Sequence, residues 1–263
     1  MPSGWSMTTS AGCVPPSTSA APAEMARLRL SWFPHASWLA LRRRYHRRRA
    51  KPDSALVHFL DTPVADIDAD WRQGEYLVLD FETTGLDPRQ DRLLSVGWVV
   101  MRGPTIDLST AHHEVINPRI GIPEQSAVIH CITDDAAAEG LPERVALEQV
   151  LEALTGRVLV AHNARFEIAF LNAACRRQFG AGLAIPVIDT LQLARQGFER
   201  RHLHHGPGEL RLDALRGRYH LPRYHAHHAL IDALATAELH SALCQDRVSP
   251  TGRLAVRNLL SVL

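Results

Sequence analysis

Apolar residues crowd into short, nearly unbroken runs from residue 75 onward, and each run ends in an acid or a turn former. Residues 75–81 (EYLVLDF) and 92–101 (RLLSVGWVVM) show almost no polar alternation, which predicts strands buried on both faces. Residues 111–117 predict a third strand, stopped by Pro118. The pattern then changes period. Val145, Leu147, Val150, Leu151 and Leu154 recur at helical spacing over 142–154. RVLVAHN, 157–163, predicts a short buried strand, and Phe166, Ala169, Phe170 and Ala173 mark one face of a helix over 164–179. PVID, 186–189, predicts a last short strand with a helix after it. Residues 200–208 read as a loop, and helices are expected over 209–219 and 226–244. Three strands on short turns, then strands alternating with helices, predict an α/β fold with a mixed sheet covered by helices. Nothing repeats internally.

Ahead of this pattern the chain differs. Residues 1–24 are rich in Ser, Thr, Pro and Ala and are expected to be disordered, with Met25 an alternative start. Residues 26–50 join Trp32, Phe33, Trp38 and several leucines to the run LRRRYHRRR. That order is the reverse of a secretory signal, and Pro34 interrupts the apolar part. Two readings stand side by side: a basic amphipathic segment for nucleic acid, anionic lipid or an acidic partner, and a solvated helix packed on the domain by its aromatic side. The expected boundaries are a leader and basic arm over 1–50, a linker over 51–71, the main domain over 72–247 and a tail over 248–263.

Composition narrows the class. At 46% hydrophobic and 22% charged, the 263-residue chain is ordinary for a globular protein. No run reaches the roughly 18 apolar residues a membrane span needs. The four cysteines, Cys13, Cys131, Cys175 and Cys244, form no CxxC pair, which argues against a zinc knuckle or disulfide framework and for a cytoplasmic location. The net charge of +1 hides an asymmetry: residues 1–51 carry nine Lys/Arg and one acid, a net of +8, leaving −7 for the remainder. An acidic domain repels nucleic acid over much of its surface unless bound cations reverse the sign locally. Lys51 is the only lysine, a bias that suggests a GC-rich bacterial genome.

The candidate chemistry begins at DFETTG, 80–85. Asp80 and Glu82 lie one residue apart at the end of a buried strand, so they share a face. Unpaired, two such carboxylates repel and lose hydration, which a multivalent cation would relieve. Four later stretches could complete a site: HNARFEIAFL (162–171) with Glu167, PVIDT (186–190) with Asp189, HHALID (227–232) with His227 and Asp232, and IHCIT (129–133). Each alone has a bland reading as a solvated strand end, a surface glutamate or a polar helix cap. Their order along the chain carries the inference.

Taken together, these stretches resemble the DnaQ-like, or DEDDh, 3′→5′ exonucleases, a family that includes polymerase proofreading subunits. The resemblance spans Tyr76 to Leu243. DFETTG resembles the first motif, AHNARFEIAFL the second and HHALIDALATAEL the third, with INP (116–118), IHCIT and VIDT matching secondary signatures. The resemblance implies the ribonuclease H-like exonuclease fold, a mixed five-stranded sheet flanked by helices. It implies two Mg²⁺ or Mn²⁺ ions, with Asp80 bridging, Glu82 and Asp232 on the first and Glu167 on the second. Oxygen ligands suit those ions over zinc. His227 takes the general-base position, five residues before the last acid, with His228 the competing base; imidazole titrates near neutrality, as the role requires. Phe81, Thr83, Thr84 and His162 are assigned to the substrate pocket, His162 and His130 also shaping the helix start and loop. Asp189 is read as a structural acid capping the next helix.

Two departures are visible. Glu167 stands where the family usually has Asp, and Cys131 stands for the glycine of its HGIT signature. The implied activity is metal-dependent release of nucleoside monophosphates from a nucleic-acid 3′ end, DNA slightly favoured over RNA, with a polymerase or another protein as possible partner. The alternative is a catalytically weakened binding or regulatory module of the same fold.

Overall fold

The computed structural model describes residues 35–248 and 252–261. The expected disordered leader, 1–24, lies outside them. The chain divides into two units, 1–38 and 39–263. The second contains a six-stranded sheet: β1 (Glu75–Thr83), β2 (Leu93–Arg102), β3 (Thr105–Asn117), β4 (Leu141–Pro142), β5 (Val158–Ala161) and β6 (Val187–Asp189). The order is β4-β3-β2-β1-β5-β6; β1, β2 and β3 pair antiparallel, while β5 and β6 continue parallel to β1. Nine α-helices are described: α1 (His35–Arg47), α2 (Ala55–Asp61), α3 (Glu124–His130), α4 (Asp134–Ala138), α5 (Glu143–Leu154), α6 (Arg165–Phe179), α7 (Thr190–Arg200), α8 (Leu212–Arg218) and α9 (Ala229–Arg247).

The strand alternation explains two cores. Leu77, Leu79 and Phe81 of β1 face one layer, with Leu147, Leu151, Phe170 and Phe179 of α5 and α6. Tyr76 and Val78 face the other, with Leu239 and Leu243 of α9 and Leu193 and Phe198 of α7. β1 is therefore central and buried on both sides, as its unbroken apolar run requires. Asp80 and Glu82 continue the Tyr76–Val78 face, toward α9.

Several sequence expectations need amendment. The sheet has six strands rather than five, because two residues, Leu141 and Pro142, pair with the end of β3. β3 begins at Thr105, six residues earlier than expected; its outer half is masked in sequence by Asp107, Ser109 and Thr110, and Thr110 Oγ1 accepts the Val100 N–H at a register shift. The stretch expected as a linker, 51–71, contains α2, whose Leu56, Phe59 and Leu60 are buried in the first core. The expected tail also joins the domain: Leu254, Val256 and Leu259 pack in the second core, and Trp71 N–H donates to the Leu254 carbonyl. From Leu39 on, α1 docks by Leu39, Arg43 and His46, while Tyr45 and Leu41 are 53% and 64% exposed. Arg43 takes the buried position because its guanidinium donates to the carbonyls of Ala184, Phe59 and Thr62 beneath the helix; Trp32 and Phe33 of the expected aromatic side lie outside the described residues. Among the described residues, no helix is long and apolar enough to cross a membrane.

Candidate active site

The carboxylates meet where β1 ends and α9 begins. Single ligand atoms from Asp80, Glu82 and Asp232 all lie within 4.8 Å of one another. β1 supplies the first two. A register shift between Glu82 and Thr83 ends the regular ladder just beyond them. Asp232 arrives because α9 starts almost in contact with the sheet. Gly97 pairs with Asp80 on the neighbouring strand, and a Cβ placed there would lie 2.1 Å from the Leu230 nitrogen. Only glycine lets the backbone of α9 approach so closely. The sequence offered a signal for this residue: a lone glycine inside a buried strand run.

Glu167 sits in the first turn of α6 and lines the same cavity, of about 970 Å³, as Asp80, Glu82, His227 and Asp232. It is buried and, although its charge is the first of those acting on Asp80, contributes no ligand atom to the three-acid cluster. Burial, together with the charges of Asp189 and Glu82, pushes its pKa up to about 8. Burial and then Glu167, Glu82 and Asp232 hold Asp80 well above the usual carboxylate range. Asp232 is raised by burial as well, against the His227 backbone N–H, which donates to its Oδ2 at 2.8 Å. Glu82 Oε1 and Glu167 Oε2 are buried without a hydrogen-bond partner. Crowded carboxylate oxygens without hydrogen-bond partners are what a divalent-cation site looks like without its positive charge. The residues fit the ions that the sequence implies.

The two competing histidines separate in space. His227, held at φ +70°, lines the cavity with the acids. His228 stacks on His113 of β3, ring centroids 4.3 Å apart. His130, at the end of α3, places Nδ1 2.5 Å from Glu82 Oε2, off the hydrogen-bonding direction, and its ring lies 6.3 Å edge-on from that of His227. Sequence reasoning gave it only a loop-shaping part. Cys131, next along, adopts φ +54°, the left-handed region that the family's glycine would occupy without strain.

The expected substrate residues divide. Phe81 lines the cavity. Thr83 and Thr84 are buried, and their hydroxyls donate to the Gly85 carbonyl and Asp91 Oδ1, so they brace the turn. His162 also lines the cavity, but both ring nitrogens are engaged, Nδ1 with Thr190 Oγ1 at 2.9 Å and Nε2 with the Leu210 carbonyl at 3.1 Å. Burial lowers its pKa to about 4, so it is a neutral clamp. Asp189 caps α7: its Oδ1 accepts the N–H groups of Leu191 and Asn163 at 3.0 Å each.

An exonuclease family model, that of RNase T, matches residues 77–240, which include every one of these acids and His227. The chain belongs to the DnaQ-like DEDDh exonuclease family. That family is one of exonucleases, hydrolases of phosphodiester bonds. The DNA polymerase III PolC-type protein of Lacticaseibacillus paracasei is 32% identical over 202 residues, 75% of this chain and 13% of that protein. The chain thus spans about an eighth of the length of such relatives. Exonuclease X, solved with 5′-overhanging duplex DNA, superposes with a TM-score of 0.50 at 25% identity, over 70% of this chain and 99% of that one. Escherichia coli exonuclease I in a zinc-bound single-stranded DNA complex gives a TM-score of 0.59 at 18% identity, over 66% of this chain and 41% of that one, a likeness of fold. A further feature that sequence reasoning missed is the support behind the histidine. Arg216 of α8, buried, donates to the carbonyls of Ala235 and Pro222 and to Glu238 Oε2. Tyr224 lies over its guanidinium at 4.5 Å and donates to Glu238 Oε1. This network fastens the segment leading to His227 onto α9.

Proposed function

We propose that the protein removes nucleotides one at a time from the 3′ end of DNA, by a reaction that needs two divalent cations. The observation that carries the reading is the convergence of Asp80, Glu82 and Asp232 within 4.8 Å, in one cavity with Glu167 and His227. Asp80, Glu82 and Asp232 would hold one Mg²⁺ or Mn²⁺, and Asp80 with Glu167 a second. Bound there, such ions supply Lewis-acid activation of water and neutralise charge on the phosphate. The chain's own residues do the rest. His227 accepts the proton of the attacking water on its ring nitrogen. Its backbone N–H fixes Asp232 while its side chain faces the cavity. Phe81 borders the cavity but is packed in the first core; the half-buried Phe166, which lines the same cavity, offers an apolar ring that a terminal base can stack on regardless of sequence. DNA is favoured because the relatives at about a third identity are DNA polymerases and exonuclease X, at 25% identity, was solved with duplex DNA. The same relatives support a polymerase as the partner to test first.

A second reading, a weakened enzyme kept for binding, draws support from Glu167, which stands where the family usually has Asp and contributes no ligand atom to the three-acid cluster. One assay separates the two. Single-stranded DNA and RNA carrying a 3′ label are incubated with Mg²⁺, Mn²⁺ or EDTA. The expected result is metal-dependent release of labelled mononucleotide, faster from DNA and abolished by Asp80→Ala. Binding without release under either metal overturns the enzyme reading. A large rate gain in Glu167→Asp would identify the native site as impaired.

A further inference from the structure

The cavity at the acids continues beyond His162. A second cavity of about 680 Å³ adjoins it, and His162, Arg211 and Leu212 line both. The outer walls of the second cavity include Leu191, His205, Pro207 and Leu210. Both lie at the carboxyl ends of strands: Asp80 and Glu82 at the end of β1, His162 and Asn163 just past β5, and Leu191 just past β6. Open α/β sheets place their ligands along that edge.

The ridge between the cavities is built to stay in place. His162 Nε2 engages the Leu210 carbonyl, and Nδ1 engages Thr190 at the start of α7. Arg211 N–H donates to the Gly208 carbonyl at 3.0 Å. Gly208 has φ +86°, and a Cβ there would touch the Arg211 side chain at 3.8 Å, so the arginine lies along the glycine. Three arginines line the first cavity. Arg216 is fully engaged with carbonyls and Glu238. Arg223 lines the first cavity alone. Arg211 stands on the ridge, and its guanidinium has no partner among the described residues. A free guanidinium between two nucleotide-sized hollows, beside a cluster of carboxylates, has the chemistry of a phosphate clamp.

We propose that Arg211 binds the phosphate next upstream of the scissile one, and that the second cavity receives the nucleotide beyond it. The inference rests on the exonuclease reading above and extends it past the reacting linkage. The first cavity holds the terminal nucleotide and the scissile phosphate at the acids; the strand then crosses the ridge at Arg211. Leu191, Leu210 and Pro207 give the second hollow apolar walls for a sugar or base, and His205 also lines it.

The test compares a dinucleotide, whose only phosphodiester is the scissile one, with a trinucleotide, which adds the linkage assigned to Arg211. In Arg211→Gln the trinucleotide-to-dinucleotide ratio of kcat/KM falls about tenfold, the worth of one charge-assisted hydrogen bond. A neutral methylphosphonate at the upstream linkage penalises the wild type equally and adds nothing to the loss in Arg211→Gln. Arg211 is exposed, so the substitution leaves the fold intact, and a thermal melt verifies it. An unchanged ratio, or a methylphosphonate penalty that persists in full in the variant, overturns the proposal alone. A wild type that cleaves neither substrate overturns the exonuclease reading and this proposal with it.

Discussion

Gly97→Ala is the substitution whose consequence the geometry fixes most tightly. The added Cβ would lie 2.1 Å from the Leu230 nitrogen, 2.3 Å from the Ala229 carbonyl carbon and 2.4 Å from the Leu230 Cα, where ordinary contacts begin at 3.4 Å. All three neighbours are backbone, so no side-chain rotation relieves them. The first turn of α9 must retreat by about 1.3 Å, the gap between 2.1 and 3.4 Å. Asp232 is two residues farther along that turn, and its carboxylate would leave the cluster by a similar distance. Overpacking of this kind costs about 1–3 kcal/mol, offset by about 0.4–1 kcal/mol because alanine restricts the unfolded chain. For a domain of this size, 1 kcal/mol shifts Tm by about 2–4 °C. The expected result is therefore a Tm lower by a few degrees. The activity loss should be far larger, on the order of 100-fold, since a misplacement of about 1 Å in a reacting constellation has that effect. Gly121→Ala, where a Cβ meets nothing within 4 Å, is the matched control and should be neutral in both assays. Melting curves and initial rates suffice. Wild-type activity in Gly97→Ala would refute the argument that this glycine sets the position of Asp232.

Further substitutions probe the electrostatics and the support of the site. Burial holds Glu167 up to about 8 against an ordinary 4.5, so the metal-free protein has its full stability below the lower value and loses it as pH rises toward the higher. The buried His162 and His240, lowered to about 4, act in the opposite direction only below about 6.5. In EDTA, Tm should therefore fall between pH 6.5 and 8.5, and Glu167→Gln should flatten that fall; an equal slope in the variant would count against the assignment. Arg216→Ala opens the network behind His227, and breaking a buried ion pair costs about 3 kcal/mol. If Arg216 acts through the histidine, then Arg216→Ala, or the milder Tyr224→Phe, lowers kcat in the wild type and has no effect on kcat in a His227→Ala background; equal losses in both would make its role purely structural.

The fold was legible where periodicity was strong. β1 and β2 announce themselves because a strand buried on both faces leaves no polar positions to blur it. The outer half of β3 does not, since its exposed residues, Ser109 among them, read as a loop until their ladder partners are known. α2 was hidden for the opposite reason: seven residues are too few to display a helical period, although Leu56, Phe59 and Leu60 all reach the core. The burial of Arg43 in α1 was not legible because it depends on a seat of carbonyls from Phe59, Thr62 and Ala184 that no local pattern announces.

The acids were legible through their order along the chain, and the structure brings ligand atoms of three of them within 4.8 Å of one another. What holds them there was only partly legible. Asp189 was read correctly as a helix cap. Gly97, Arg216 and the His130–Glu82 contact depend on elements meeting across more than a hundred residues in the first case and several packed segments in the others, and no local spacing encodes that. The choice between His227 and His228, open to sequence argument only through the family's spacing, becomes a matter of which ring faces the acids and which stacks on His113.

The central claim is that these carboxylates are crowded together to bind cations. Titration of the protein with Mn²⁺, followed by electron paramagnetic resonance, measures that directly and needs no substrate. The account predicts saturable binding of two ions per chain by the wild type, with both affinities sharply reduced in Asp80→Asn while the circular dichroism spectrum is unchanged. Equal Mn²⁺ binding by the wild type and Asp80→Asn, or no saturable binding by either, would contradict it.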